Sequence, residues 1–211
     1  MPVSIIVPAY NEQLTVMDIV QSLLQLDYAL YEIVIVDDGS TDGMSERLVE
    51  HFNMERIYRP IRKKIPCEAE QAVYMTCKQK VPITLICKNN GGKADALNMG
   101  INASKYPYFI CMDADSVLQS DALRNIIRPI LEEENVIACG GLIRILNNVV
   151  LEKGQVLGYG IPKKPLVGMQ MLEYDRSFLA SRLLFDKFNG NLIISGAFGL
   201  FRKDMSYALL I

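Results

Sequence analysis

Four short apolar runs recur along this chain, and each one gives way to polar residues: Val3 to Val7, Ile33 to Val36, Ile83 to Cys87 and Tyr108 to Met112. Runs of this length, largely apolar rather than alternating, predict strands buried on both faces. After the first run, Val16, Ile19, Val20, Leu23 and Leu24 follow the i, i+3, i+4, i+7, i+8 spacing of an amphipathic helix. A second helix is predicted from about Lys93, with Leu97 and Ile101 four residues apart, between the third and fourth runs. Buried strands separated by helices predict an α/β fold, a mostly parallel sheet with helices on both faces.

The remainder is less regular. Pro60 to Pro82 carries the basic cluster Arg59, Arg62, Lys63 and Lys64 at its start and is expected to be a solvated loop. Val136 to Ile145 predicts another strand, interrupted at Gly140-Gly141, and Pro162 to Pro165 a flexible connection. A long helix is expected over about Met169 to Phe188. Leu172, Leu179 and Leu183 share one of its faces, while Met171, Tyr174, Phe178 and Phe185 share the other. A helix apolar on two sides is expected to be sandwiched. The chain ends in Leu209-Leu210-Ile211 without a helix stop, so it is expected to be a piece of a longer protein.

Composition narrows the function. A length of 211 residues suits one well-buried domain. With 22 basic and 24 acidic residues the net charge is −2, which gives no electrostatic case for nucleic acid. The five cysteines form no C-x-x-C pair and are expected to be reduced thiols. The single histidine, His51, rules out a histidine triad or a multi-histidine metal site and reads as a helix-surface residue. No run of 18 apolar residues is present to span a membrane, and strand-like sequence from Val3 leaves no signal peptide.

The loops after the four runs carry the chemistry. The first is Pro8-Ala9-Tyr10-Asn11-Glu12. Its proline-fixed turn lets Tyr10 pack against a base, and Glu12 can accept from ribose hydroxyls. Asn11 as a helix N-cap, with Glu12 in the first turn, also fits. The second runs from Asp37 to Asp42, where Ser40 or Thr41 suits an N-cap. Capping does not require two adjacent aspartates. An aspartate here can accept the imide N–H of uracil, a donor that cytosine lacks, with Asp38 as first choice and Asp37 in reserve. In the third, Gly91 and Gly92 let backbone N–H groups approach an anion and Lys93 adds a point charge, although the pattern is not a Walker A loop. The fourth is Asp113-Ala114-Asp115, two carboxylates able to reach one hard divalent cation. Alone, that triplet would fit a pair of solvated turn aspartates.

Taken in order, these segments resemble the inverting family 2 glycosyltransferases of GT-A fold, the Rossmann-like nucleotide-diphospho-sugar transferases. The resemblance rests on Val7 to Glu12, Val36 to Asp42, Asn90 to Asn98 and Met112 to Ser116. A fifth segment, Ile194 to Arg202, is similar to the acceptor side of processive membrane-bound members such as poly-N-acetylglucosamine, chitin-oligosaccharide and hyaluronan synthases. The resemblance implies a UDP-sugar donor, a saccharide acceptor and Mg²⁺ or Mn²⁺. Pro8, Ala9, Tyr10 and Glu12 would line the uridine pocket and Asp38, with Asp37, would meet uracil. Gly92, Lys93 and Asn98 would lie by the diphosphate and sugar, Asp113 by ribose or sugar, and Asp115 with Asp113 at the metal. Ser195, Gly196 and Ala197 would shape the acceptor floor, with Glu173 and Tyr174 nearby. Membrane spans outside this chain would hold the domain on the cytoplasmic face of the cell membrane.

The chain departs from that family in one respect. The acidic pair that supplies the general base, and a Gln/Arg-rich motif ending in Trp, come later in the family, whereas this chain ends at Ile211 and has no tryptophan. No catalytic base is therefore assigned within it, and residues 1–211 alone are expected to bind a nucleotide sugar without turnover. Two other classes fit less well. A phosphoacceptor signalling domain needs neither Gly91-Gly92-Lys93 nor a second aspartate after Asp113, and a dinucleotide dehydrogenase would show G-x-G-x-x-G after the first strand.

Overall fold

The computed structural model describes residues 1–76, 79–143, 149–152, 155–160, 164–176, 194 and 197–208. β1 (Val3–Ala9), α1 (Val16–Leu23), β2 (Tyr31–Asp37), α2 (Met44–His51) and β3 (Met54–Ile57) are followed by β4 (Glu70–Thr76) and β5 (Ile83–Lys88). Then come α3 (Lys93–Ala103), β6 (Tyr108–Met112), α4 (Ala122–Glu132) and β7 (Ala138–Gly140). β8 (Val149–Glu152), β9 (Gln155–Tyr159), α5 (Pro165–Asp175), β10 (Phe198–Arg202) and α6 (Lys203–Ala208) complete the order.

Among the described residues, eight strands form one sheet in the order β3-β4-β5-β2-β1-β6-β10-β7, and β8 pairs with β9 separately. The expected parallel strands are its centre: β5, β2, β1 and β6 run parallel. Antiparallel strands widen it on both sides, β3 and β4 beside β5, and β10 and β7 beside β6. Every residue of β1 and β2 is buried, which is why those strands are largely apolar, and the buried polar pair within them is satisfied, Ser4 donating to Glu32 at 2.6 Å.

Helices cover both faces, as expected. Val3, Ile5, Val7 and Ala9 of β1 face Ile19, Val20 and Leu23 of α1, Leu48 of α2, and Leu123 and Ile127 of α4. On the opposite face α3 lays Ala96, Met99 and Ala103 on Val34, Val36 and Ile86, and Ile101 beside Ile6 and Phe109. Each fully buried aliphatic side chain contributes about 1.5–3 kcal/mol, so these two layers hold the strand ends in register.

Several expectations change. The solvated loop over Pro60 to Pro82 contains β4, an antiparallel strand between β3 and β5. Only Val73 and Thr76 of β4 are buried, so it lacks an apolar signature. Its basic residues are engaged: Arg59 donates to the Ala103 carbonyl at 2.8 Å, and Lys63 pairs with Glu70 at 3.1 Å. Asn11 does not cap α1, since Thr15 precedes the helix; Gly43, not Ser40 or Thr41, precedes α2. The strand expected over Val136 to Ile145 reduces to β7, and residues 144–148 lie outside the described residues. Pro165 opens α5 instead of ending a connection. The expected long helix is described only as α5; its continuation, with Leu179, Leu183, Phe178 and Phe185, lies outside the described residues. No helix among the described residues is long and apolar enough to cross a membrane.

Candidate active site

The carboxyl ends of β1, β2 and β6 and the first turn of α3 meet at one edge of the sheet, the location where open α/β sheets bind ligands. They enclose a cleft of about 340 Å³ lined by Pro8, Ala9, Tyr10, Glu12, Asp38, Lys93, Ala96, Asp113, Ala114 and Asp115. Eight of the ten are residues singled out from the sequence; Ala96 and Ala114 are the additions. Tyr10, about half exposed, offers a ring at the rim. Glu12 accepts the Thr15 hydroxyl at 2.7 Å, which orients its carboxylate beside the start of α1.

The two neighbouring aspartates divide. Asp37 does not line the cleft: it accepts the Ser40 N–H at 2.8 Å and the Ser45 hydroxyl, closing the turn between β2 and α2. Asp38 does line it, although buried at 3% exposure. One Asp38 oxygen accepts the Gly91 N–H at 3.0 Å and the other accepts the Gly92 N–H at 2.8 Å. Gly92 has φ +89°, left-handed backbone that an L side chain resists, and it precedes Lys93 at the start of α3.

Beneath this loop lies Lys88, which the sequence reading passed over. Its ammonium pairs with Asp38, with Asp95 at 2.7 Å, and donates to the Asn89 carbonyl at 2.7 Å. Burial lowers the Lys88 pKa, but the hydrogen bonds and charges of Asp38 and Asp95 outweigh it and leave the pKa raised. The only sequence signal is a lysine closing an otherwise apolar strand.

One face of α3 is turned away from the cleft. Asp95 accepts the Glu68 N–H at 3.0 Å, and Asn98 donates to the Pro66 carbonyl at 3.2 Å. Asn102 accepts the Lys64 and Ile65 N–H groups at 3.0 Å and donates back to the Ile65 carbonyl at 2.8 Å. Asn98, expected by the donor sugar, is thus placed against segment 64–68 and not among the cleft residues.

Lys93 Nζ reaches Asp113 Oδ1 at 2.5 Å, bringing the third and fourth loops together. Asp115 is exposed and receives a 3.5 Å contact from the Ser116 hydroxyl. Among the described residues no group of three or more His, Cys, Asp and Glu is gathered to hold a metal. Cys111 on β6 is buried, and burial pushes its thiol pKa up to about 12.

On the acceptor side, β10 runs antiparallel to β6 with Phe198 opposite Met112, and Ala197 and Asp113 are the residues that adjoin this pair in sequence. Ser195 and Gly196 lie outside the described residues. Glu173 and Tyr174 sit on α5; Glu173 is exposed and bound by Arg176 at 2.7 Å, which lowers its pKa. Asp204 comes after Arg202, which pairs with Tyr108 at the sheet end away from Asp113. Arg202 holds the Asp204 carboxyl below its usual range.

The family model described as Glycosyl transferase family 2 matches residues 4–68 and 66–210. Among curated relatives, the poly-beta-1,6-N-acetyl-D-glucosamine synthase of Staphylococcus epidermidis is 30% identical over 203 residues, covering 96% of this chain and 40% of the relative. That of Staphylococcus aureus (strain COL) is 28% identical with the same coverage. The chain therefore spans about 40% of the length of these relatives. Among solved structures, the mannosyltransferase PcManGT from Pyrobaculum calidifontis, in complex with GDP-Man and Mn²⁺, superposes with a TM-score of 0.61 at 19% identity. That likeness covers 98% of this chain and 46% of the other. S. aureus TarS 1-349 gives a TM-score of 0.59 at 17% identity, covering 99% of this chain and 49% of TarS 1-349. At such identities the likeness is one of fold, and the fold is GT-A. On the family match, which runs over nearly the whole chain, this protein belongs to glycosyl transferase family 2.

Proposed function

We propose that this chain is the donor-binding part of an inverting glycosyltransferase that transfers a hexose or N-acetylhexosamine from a UDP-sugar to a saccharide acceptor. The observation that carries the proposal is the cleft, which unites Tyr10, Glu12, Asp38, Lys93, Asp113 and Asp115 from four separate loops. In this reading Tyr10 packs on the uracil ring, Asp38 accepts its imide N–H, and Glu12 accepts ribose hydroxyls. Lys93 opens α3 just after Gly92, at the helix end where the backbone favours the negative diphosphate, while the Gly91 and Gly92 N–H groups themselves are given to Asp38.

A divalent ion fits the residues present. Asp113 and Asp115 both border the cleft, and an all-oxygen donor set suits Mg²⁺ or Mn²⁺. Asp113 and Asp115 would hold the ion. When bound, the ion supplies positive charge that stabilises the departing diphosphate. Lys93 adds its own charge on the same side, and Asp113 orients the Lys93 ammonium.

The acceptor hydroxyl oxygen attacks the anomeric carbon from the face opposite the diphosphate. The bond from that carbon to the phosphate oxygen breaks, the glycosidic bond forms, and the hydroxyl proton passes to a general base. Ala197, next to Phe198 at the Met112 end of β10, is assigned to the acceptor side, with Ser195, Gly196, Glu173 and Tyr174. Glu173 and Asp204 are each ion-paired to an arginine, Arg176 and Arg202, and Asp204 follows the end of β10 that lies away from Asp113, so neither is assigned as the base. We assign the base, and attachment to the cytoplasmic face of the cell membrane, to sequence other than residues 1–211.

Calorimetric titration of the 211-residue chain with UDP, with and without Mn²⁺, tests the donor site. Saturable UDP binding strengthened by Mn²⁺ and weakened by Asp115→Asn is the expected result, and absence of UDP binding overturns the proposal. Sugar transfer catalysed by residues 1–211 alone would overturn the assignment of the base elsewhere.

A further inference from the structure

We infer that Lys88 is a positioning residue for nucleotide recognition: from beneath the cleft it fixes the Asp38 carboxylate and, through it, the Gly91-Gly92 turn that leads into Lys93. The inference rests on the donor-site reading above and concerns a residue that touches no substrate in it.

Lys88 closes β5 and is only 1% exposed. An ammonium has three N–H donors, and Lys88 directs them to Asp38, Asp95 and the Asn89 carbonyl. A carboxylate offers about four acceptor sites. Lys88, the Gly91 N–H and the Gly92 N–H occupy three on Asp38. About one acceptor position therefore remains on a residue that borders the cleft. A single acceptor suits the single imide N–H of uracil. It does not suit cytosine, whose corresponding ring nitrogen is itself an acceptor. Lys88 and the two glycine N–H groups together stop the carboxylate from rotating.

Stability alone does not account for this lysine. Buried ion pairs recover little beyond their desolvation cost, and apolar residues of similar volume often serve as well. β5 is otherwise apolar and threonine, Ile83 to Cys87, so nothing about the strand calls for a charge at its end. What the charge does is join three elements at one point: Asp38 after β2, the loop at Asn89, and Asp95 on α3. Asp95 in turn holds the Glu68 N–H, and its carboxylate would lie 2.7 Å from any Cβ on Gly91, so that loop is packed to glycine tolerance.

The test compares wild type, Lys88→Met, Lys88→Arg and Asp95→Asn in the 211-residue chain, with far-UV circular dichroism as a check of folding. Two quantities are read: hydrogen exchange at the Gly91 and Gly92 amides, and affinity for UDP against CDP. Lys88→Met is expected to speed exchange at both amides at least tenfold and to bring the UDP-to-CDP preference close to one. Lys88→Arg should restore most of both. Asp95→Asn, on the more exposed side of the cluster, should shift both in the same direction by two- to fivefold, and it decides the matter if Lys88→Met does not fold. Unchanged exchange and preference in folded Lys88→Met, or in Asp95→Asn if that variant alone folds, would overturn the inference. If wild type binds no UDP, the donor reading fails, and the exchange rates still decide whether Lys88 holds the turn.

Discussion

Lys93 Nζ and Asp113 Oδ1 meet at 2.5 Å, joining the first residue of α3 to the residue that follows β6. Both side chains are partly exposed, at 57% and 30%, and exposed ion pairs contribute about 0–1 kcal/mol to stability. The pair sets a cation beside the Asp113-Ala114-Asp115 triplet; in the proposed donor site it would turn from Asp113 to the diphosphate.

Replacing that cation should separate binding from folding. Lys93→Met is expected to leave the melting temperature within about 4 °C, the shift that about 1 kcal/mol produces in a domain of this size. UDP affinity should fall about 10- to 100-fold, the equivalent of one charge-assisted contact of about 1.5–3 kcal/mol. Thermal unfolding and UDP titration of the same samples check both. A variant that melts early and binds normally would make Lys93 a structural residue.

Asp115 tests the metal. Its carboxylate is exposed and receives a 3.5 Å contact from the Ser116 hydroxyl, so Asp115→Asn should cost little stability. It should remove most of the gain in UDP affinity that Mn²⁺ brings, while EDTA does the same to wild type. A Mn²⁺ gain of unchanged size in the variant would place the ion elsewhere.

How far the site could be read in advance depended on how local its causes are. Val3 to Val7 and Ile33 to Val36 announced buried parallel strands because both faces of those strands are covered, and the polar residues after them had to fall at the sheet edge. Asp38, the first choice of the two neighbouring aspartates, does line the cleft, but the cause of the division was not legible, since it turns on Ser45 reaching Asp37 and on Lys88 and Gly91 reaching Asp38 from distant positions. Asn98 read as a ligand because its motif gives no sign that Pro66 returns to accept its amide. β4 was invisible for a related reason: a strand with two buried residues, placed near the sheet edge, is specified by its partners and not by its own pattern.

Lys203 predicts a pH effect. It donates to the Ser104 carbonyl at 2.6 Å, and burial, reinforced by the charges of Lys64 and Arg59 against that of Glu32, lowers its pKa from 10.5 to about 8. Between those values the unfolded chain binds more protons at this site than the folded chain, so its contribution to stability rises with pH. The penalty is present in full below about pH 8 and is relieved as pH climbs through 8 towards 10.5. Lys203→Met removes the titration. Wild type should therefore gain on the variant, by about 1 kcal/mol after solvent screening, between pH 7 and pH 10 in urea unfolding. A constant difference across that range would contradict the burial of the amine.

Gly100 tests the seat of α3 on the sheet, on which the position of Lys93 depends. A Cβ at residue 100 would lie 2.3 Å from Ile6 Cγ2 and 3.4 Å from Val36 Cγ2, so the helix rests directly on β1 and β2. Ile6 has no room to yield, being fully buried in a cluster with Ile101, Phe109 and Cys111. Two effects oppose each other in Gly100→Ala. Alanine favours a helix interior over glycine by about 1 kcal/mol, while forcing a methyl into a filled core costs about 1–3 kcal/mol, and more where the contact is this short. The overlap is well inside any permitted contact, so the steric cost should win. Urea unfolding is expected to show a net loss of about 1–2 kcal/mol with an unchanged slope. UDP affinity should fall only modestly, because Gly92, Lys93 and Asp95 lie at the other end of the helix from the clash. A variant as stable as wild type or more so would mean that α3 stands further from β1 than described, and that the first turn bearing Lys93 is held by the Asp38 loop alone.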